Sequence, residues 1–373
     1  MNKVHIALVG GQPVPVFIGL KDDGQANLIV LVCSNQSKEE ANRICQQFPK
    51  RNIIIYECSP INLEDIEKLA NNLFKEYIDY EKTINLTSGT KLWSLTFFHV
   101  FNKNEHTHFI YVDQTNTIID ILLKKSHQSM IETFKRFELY GTPLSSFRSL
   151  NEYTQEDYRV IKSIEYIRNK NRYEFFLLTD KKELHDNGVF TTERGSKIEY
   201  DTAAKWAKVT IKNDIGVLKK ELQSEHIFDL LFNTGWFELK TAKELRQNQA
   251  IRNIWLNCKF TDVDGNPKNE IDIIAELGNR LLFVECKTMI HDTTDIDKFR
   301  SALRNFSGTS STGIFVTNDK PNNNSRIRYE HAMEKCKDND ILTFNFGLRR
   351  NNPLSFPHIN DLINNQILTQ NKR

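Results

Sequence analysis

The stretch EIDIIAELGNRLLFVECKT, Glu270–Thr288, decides how the second half of the chain folds. Two apolar runs flank Gly278-Asn279, a two-residue turn signal, and the pattern predicts a β-hairpin. With those two residues as the loop, Leu277 faces Arg280, Asp272 falls opposite Glu285, and Glu270 falls opposite Lys287. Strand side chains alternate, so Glu285 and Lys287 share one face while Val284 and Cys286 share the other. Directly opposed residues bring their Cβ atoms to roughly 4.5–5.5 Å, and two carboxylates that close repel. A divalent cation converts the repulsion into ligation, and carboxylate oxygens are the donors that Mg²⁺ or Mn²⁺ prefers. The candidate metal ligands are therefore Asp272, Glu285 and the backbone carbonyl of Cys286. Lys287, on the same face, is placed to stabilise a developing charge or position a water, and the set suits phosphodiester hydrolysis. Taken alone, the same letters also fit a solvated strand end with a Lys287–Glu270 cross-strand pair.

Working outward, a helix at TGWFELKTAKELRQ and a strand at IRNIWLNCKF precede the hairpin. The helix TDIDKFRSALRNF, the strand GIFVTN, the helix RIRYEHAMEKC and the strand ILTFNFG follow it. A three-strand meander and then a crossover make a mixed sheet flanked by helices. Lys240, Lys243 and Arg246 on the first helix and Lys298, Arg300 and Arg304 on the second are candidates for tracking a phosphate backbone, and each also fits a solvated helix face.

The first 125 residues alternate near-continuous apolar strands (VHIALVGG, NLIVLVCS, NIIIYEC, KTINLTSG, HFIYVDQ) with helical patterns, which predicts βαβ units around a buried parallel sheet; TIIDILL adds an edge strand. Such a sheet places ligands at the carboxyl ends of its strands, at the topological switch point. Two loops there are unusual: Gly10–Pro15 after the first strand, and Asn85–Trp93 after the fourth. The second combines Gly89, the hydroxyls of Thr87, Ser88 and Thr90, the cation Lys91 and a following helix start, which makes a phosphate site in physical terms. An ordinary Ser/Thr-capped helix fits the loop as well. Neither GxxxxGK[ST] nor GxGxxG is present. Between the halves, SMIETFKRFELYG, TQEDYRVIKSIEYIRNK and DIGVLKKELQSEHIFDLLFN read as helices, FFLLTD and KIEYD as short strands.

Length and composition set the frame. At 373 residues the chain suits two domains, and 50 Lys plus Arg against 48 Asp plus Glu leave a net charge of +2, so any basic surface is local. The six cysteines form no CxxC pair, which points to a reduced, cytoplasmic chain without structural zinc; no signal peptide or membrane span is legible.

Asp272 followed by Glu285-Cys286-Lys287 resembles the signature of the PD-(D/E)XK nucleases, with Glu270-Ile271-Asp272 where the family name has Pro-Asp. The resemblance implies that a Glu on the preceding helix completes the catalytic set, and Glu238 of TGWFE stands in that place. The strand, the Thr87-Ser88-Gly89-Thr90-Lys91 turn and the helix after it are similar to the CARF domain, the Rossmann-like sensor of cyclic oligoadenylates in type III CRISPR immunity. The two resemblances together imply a CARF-like domain at 1–140, a connecting region at 141–225 and a restriction-endonuclease-like α/β domain at 226–373. They imply a homodimer that binds a cyclic oligoadenylate, cyclic tetra-adenylate, with Gly10, Gly11, Gln12 and Pro13 along one wall. Thr87 to Lys91 would hold the phosphates, and Ser34 and Asn35 are further candidates. The implied activity is Mn²⁺- or Mg²⁺-dependent, activator-triggered cleavage of DNA and/or RNA, single-stranded, with little sequence preference. Two other readings stay open: a nucleotide sensor that grips nucleic acid without cutting, and a constitutive nuclease of the restriction or repair kind.

Overall fold

The computed structural model describes residues 1–180, 187–214, 216–307, 311–323, 325–348 and 357–369, and within the helix Thr294–Ser307 no side chain beyond 305. Parts of the segments expected above, at 181–186, Ile215, 349–356 and 370–373, lie outside the described residues. The N-terminal unit runs β1 (Lys3–Val9), α1 (Pro13–Asp22), β2 (Leu28–Cys33), α2 (Lys38–Gln46), β3 (Asn52–Glu57), α3 (Leu63–Glu76), β4 (Glu81–Asn85), α4 (Lys91–Phe101), β5 (Thr107–Val112), β6 (Thr117–Asp120) and β7 (Lys125–Gln128). The sheet order is β3-β2-β1-β4-β5-β6-β7; the first five strands are parallel and the last two antiparallel. Alternate residues of β1 explain the two-sided cover. Val4, Ile6 and Leu8 pack toward α3 and α4, while Ala7 and Val9 pack toward α1 and α2. The switch point falls between β1 and β4.

The middle of the chain contributes α5 (Thr133–Leu139), β8 (Leu144–Ser149), α6 (Gln155–Lys170), α7 (Arg172–Thr179), β9 (Asn187–Thr191), β10 (Lys197–Asp201), β11 (Trp206–Asn213) and β12 (Gly216–Gln223). Strands β9 to β12 form a sheet of their own, and β8 pairs with the C-terminal sheet. Two expectations change here. FFLLTD is helical in α7, where the Asn171 side chain accepts the Glu174 N–H as an N-cap. The segment expected as a helix from Asp214 is instead β12, paired antiparallel with β11, and only its tail is helical. Four charged or amide side chains in β12, Lys219, Lys220, Glu221 and Gln223, hid a strand that becomes clear only beside its partner.

The C-terminal unit follows with α8 (Ile227–Phe232), α9 (Gly235–Leu245), β13 (Ile251–Thr261), β14 (Pro267–Leu277), β15 (Arg280–Lys287), α10 (Thr294–Ser307), β16 (Ser311–Thr317), α11 (Arg326–Asp338), β17 (Leu342–Asn345) and α12 (Ile359–Ile363). Its sheet order is β17-β16-β15-β14-β13-β8, with the meander antiparallel and β16 and β17 parallel to β15. One face packs on α9 through Leu282, Val284 and Cys286, the other on α10 through Leu281, Phe283 and Phe315. Helix α5 joins the units: Phe137 packs on Phe260 and Phe283 in the C-terminal core, and Leu139 lies in the N-terminal core. Phe283 is fully buried. Phe283→Ala is expected to cost about 3–5 kcal/mol, read as a lower urea midpoint. Among the described residues no helix is long and apolar enough to cross a membrane.

Candidate active site and ligand loops

The β14–β15 hairpin has the register expected from its sequence, from Leu277↔Arg280 to Ile273↔Val284, and Gly278 takes φ +62, a sign that glycine adopts without penalty. The ladder stops one step short of Asp272 and Glu285. Asp272 turns its carboxylate into the gap instead and accepts the Cys286 N–H at 2.6 Å. Alternation slips at this residue: Ile271 and Ile274 pack on the α10 face, Ile273 and Ala275 on the α9 face. Opposite Asp272, between the pairs Leu256↔Ile273 and Cys258↔Ile271, Asn257 sits at φ +52. Two adjacent strands thus kink together where the carboxylate leaves the sheet, a strain of the kind that functional sites hold.

Glu285 is 9% exposed and its Oε1 receives Lys287 Nζ at 2.7 Å. The cross-strand Lys287–Glu270 alternative is not the pair formed. Glu238 comes in from the first turn of α9, 6% exposed, and its Oε2 is buried with no hydrogen-bond partner. Electrostatics mark the cluster. Burial and the charge of Asp272 push Glu285 up to about 8. Burial pushes Asp272 up to about 6, against the pull of Lys287 and the Cys286 N–H. Burial, Asp272 and Glu270 hold Glu238 well above the carboxylate range. Burial pulls Lys287 down, but Glu285 and Asp272 together keep it above its ordinary value. The Cys286 thiol, buried, is pushed well up and stays protonated, which leaves its carbonyl as the donor. Asp295 on α10 also acts on Asp272, Glu285 and Lys287, a contribution that nothing in the sequence pattern singles out.

At the other end of the chain the two ligand loops touch. Gly10 N–H donates to Ser88 Oγ at 3.0 Å, and a Cβ on Gly10 would lie 2.7 Å from the Gly89 nitrogen. Gly89 itself has φ +80, with its Cβ position against Trp93.

Comparison with known proteins places both ends. The Card1 CARF domain family matches residues 4–138, and the Card1-like endonuclease domain family matches residues 227–342. The chain joins a CARF domain to a Card1-like endonuclease domain. Among solved structures, Can2 from Sulfobacillus thermosulfidooxidans in complex with cyclic tetra-adenylate is similar at a TM-score of 0.67 and 19% identity, over 92% of this chain and 95% of that one. Protein VC1899 from Vibrio cholerae gives 0.65 and 15%, over 92% and 94%. A type III CRISPR defence DNA nuclease activated by cyclic oligoadenylate gives 0.57 and 13%, over 98% of this chain and 52% of that one. At these identities the likeness is one of fold. No curated protein matches the chain.

Within the CARF domain the sequence-predicted residues divide. Gly11, Gln12, Asn35 and Lys91 are exposed at the carboxyl end of the sheet. Pro13 is buried as the first residue of α1, so the first loop ends earlier than its sequence suggests. Thr87 Oγ1 donates to Asn85 and accepts the Val112 N–H, tying β4 to β5. Thr90 caps α4 by accepting the Trp93 N–H and donates to the Pro60 carbonyl. Ser34 caps a short helical turn with Ser37. These three hydroxyls are engaged by the protein itself, while Gly11, Gln12, Gly89 and Lys91 stay exposed on the two loops. In the endonuclease domain, Lys240 is paired with Glu165, Lys243 lies over the Tyr158 ring and Arg246 donates to the Arg252 carbonyl. The α9 cations are thus spent on the protein itself.

Proposed function

We propose that this chain is a divalent-metal-dependent endonuclease that a cyclic oligoadenylate, cyclic tetra-adenylate, switches on. It would cut single-stranded DNA and/or RNA with little sequence preference, in type III CRISPR defence. The observation that carries the reading is the buried convergence of Asp272, Glu285 and Glu238 on one lysine, Lys287. Three carboxyls pushed upward by burial and by each other form a site that a cation relieves. Among the described residues no three His, Cys, Asp or Glu side chains cage an ion alone. Mg²⁺ and Mn²⁺ take one or two carboxylates and fill the remaining positions from other oxygens. Asp272, Glu285 and the Cys286 carbonyl would hold the ion. Bound there, it supplies Lewis acidity toward the phosphate and an acidified water. Lys287, held by Glu285, would stabilise negative charge on the phosphate; Glu238, whose buried Oε2 has no partner, would complete the set from α9. Mn²⁺-dependent cleavage of labelled oligonucleotides, lost in Asp272→Asn, tests the reading.

Coupling runs through α5. Tyr140, which ends that helix, donates its hydroxyl to Gln12 of the ligand loop at 2.8 Å. One turn earlier, Arg136 donates to the Asn279 carbonyl at 3.0 Å, at the tip of the catalytic hairpin. Asn279 in turn donates to the Thr115 carbonyl at 3.2 Å and to Gln128, and Thr133 donates to Glu276. A ligand that moves Gln12 pulls on a short rigid helix whose other contacts hold the hairpin bearing Asp272 and Glu285. A homodimer, with exposed Ile61 and Leu95 beside the ligand loops as its apolar contact, would present one two-fold pocket to a two-fold ligand. Tyr140→Phe, which removes the hydroxyl that α5 places on Gln12, is expected to weaken activator-dependent stimulation by about 5–150-fold, the range of ordinary allosteric coupling, read as the ratio of cleavage rates with and without activator. Unchanged stimulation would separate α5 from the switch.

A further inference from the structure

Two arginines from the middle of the chain converge beside the end of β15. Arg168, near the C-terminus of α6, and Arg172, the first residue of α7, each donate Nη2 to one acceptor, the Thr288 carbonyl, at 3.4 and 2.8 Å. Thr288 directly follows Lys287. Arg168 is 9% exposed and lies with its guanidinium carbon 5.2 Å from the Trp236 ring, two residues before Glu238. Arg172 is half-buried, with Asp319 Oδ1 at 3.7 Å, and that carboxylate is already engaged by the Ile290 N–H through its other oxygen. Two guanidiniums therefore share one neutral oxygen, with the carboxylates of Asp319 and Glu165 acting only from a distance and Glu165 already paired with Lys240.

That arrangement is poor for folding alone. Each guanidinium carries five donors in a fixed fork, and like charges held together in a partly dry place repel. Burial and the charge of Arg172 pull Arg168 down to about 10. An anion with several acceptor oxygens would satisfy both forks at once, and a phosphodiester is the anion whose geometry they match. The pair stands one residue past the catalytic lysine, held on one side by the helix that brings Glu238.

We propose that Arg168 and Arg172 grip a phosphate of the substrate nucleic acid next to the one that is cut, and so set where the strand lies across the active site. The proposal rests on the endonuclease reading above and adds the residues that bind substrate. They are substrate-binding residues; nothing places them on the reacting atoms.

The test uses the full chain with activator present. Binding of a fluorescein-labelled single-stranded oligonucleotide is followed by anisotropy across a KCl series in an Asp272→Asn background. Adding Arg172→Gln is expected to weaken binding roughly tenfold or more at low salt, since hydrogen bonds to charged groups are the strong ones. It is also expected to make the slope of log affinity against log salt shallower by about 0.7, one phosphate contact. Arg172→Lys, which keeps the charge but not the fork, should restore the slope and only part of the affinity. In the cleaving chain, Arg172→Gln should raise KM with little change in kcat. A slope unchanged by Arg172→Gln overturns the proposal, whatever happens to Tm, because a purely structural clamp on Thr288 would move stability and not the ion count. Wild-type cleavage of the same oligonucleotide runs alongside. Cleavage with an unchanged slope removes the arginine pair and keeps the nuclease. No cleavage with a shallower slope removes the nuclease and keeps the arginine pair as a nucleic-acid contact. No binding by the parent removes both.

Discussion

Glu285→Gln and Lys287→Ala are each expected to lower turnover by about 10²–10³-fold, the loss typical of one preorganised electrostatic group in an active site. The two act as a unit, because Lys287 Nζ sits 2.7 Å from Glu285 Oε1. The double variant should therefore fall little further than the worse single variant. Oligonucleotide binding should survive in all three, since the basic contacts lie elsewhere, and single-turnover kinetics would show the loss in the chemical step. Additive losses, or a collapse of binding instead of turnover, would mean that Lys287 serves the substrate and not the reacting charge.

Stability in chelator should fall as pH rises. Asp272 and Glu285 have ordinary values of 3.8 and 4.5 and stand at about 6 and about 8 in the fold. A carboxyl raised by folding contributes stability that is complete below its unfolded value and is lost as pH climbs through its folded value. The window therefore runs from about pH 4 to about pH 8. In that window Tm should drop as pH rises. Asp272→Asn with Glu285→Gln should make the curve shallower, leaving the part owed to Glu238. Mn²⁺ should raise Tm at pH 8 and do little at pH 5, where protons already occupy the oxygens it needs. A Tm that rises with pH in the metal-free chain would show that the two carboxyls lie in water or are fully neutralised by Lys287.

The β14–β15 hairpin was legible because two apolar runs flank Gly278-Asn279, and with that pair as the loop the register follows. The letters did not show that the ladder ends at Ile273↔Val284 and that Asp272 replaces a strand partner by bonding the Cys286 amide. Nor does any spacing reveal Asn257 at φ +52, since the strain belongs to the pair of strands and not to either alone. The N-terminal sheet was legible from its buried runs. Strand β7 was not, because all four of its residues are exposed and carry no apolar signal. Thr87 and Thr90 show the limit of reading chemistry from type: a hydroxyl in a glycine-containing loop suits a phosphate or a neighbouring backbone equally, and here backbone partners are in place. Arg168 and Arg172 were invisible for a different reason. Their shared acceptor lies more than a hundred residues away, and no local pattern encodes such a contact.

The central claim is that a cyclic oligoadenylate at one end of the chain controls a metal-dependent cut at the other. The most direct measurement incubates the purified protein with labelled single-stranded DNA, duplex DNA and RNA. Each substrate is tested with and without cyclic tetra-adenylate, with Mn²⁺, Mg²⁺ or chelator, beside a Glu285→Ala/Lys287→Ala control. The expected result is cutting of a single-stranded substrate that requires activator, metal and both side chains. Cutting that ignores the activator, or tight activator binding with no cutting of any substrate, would contradict it.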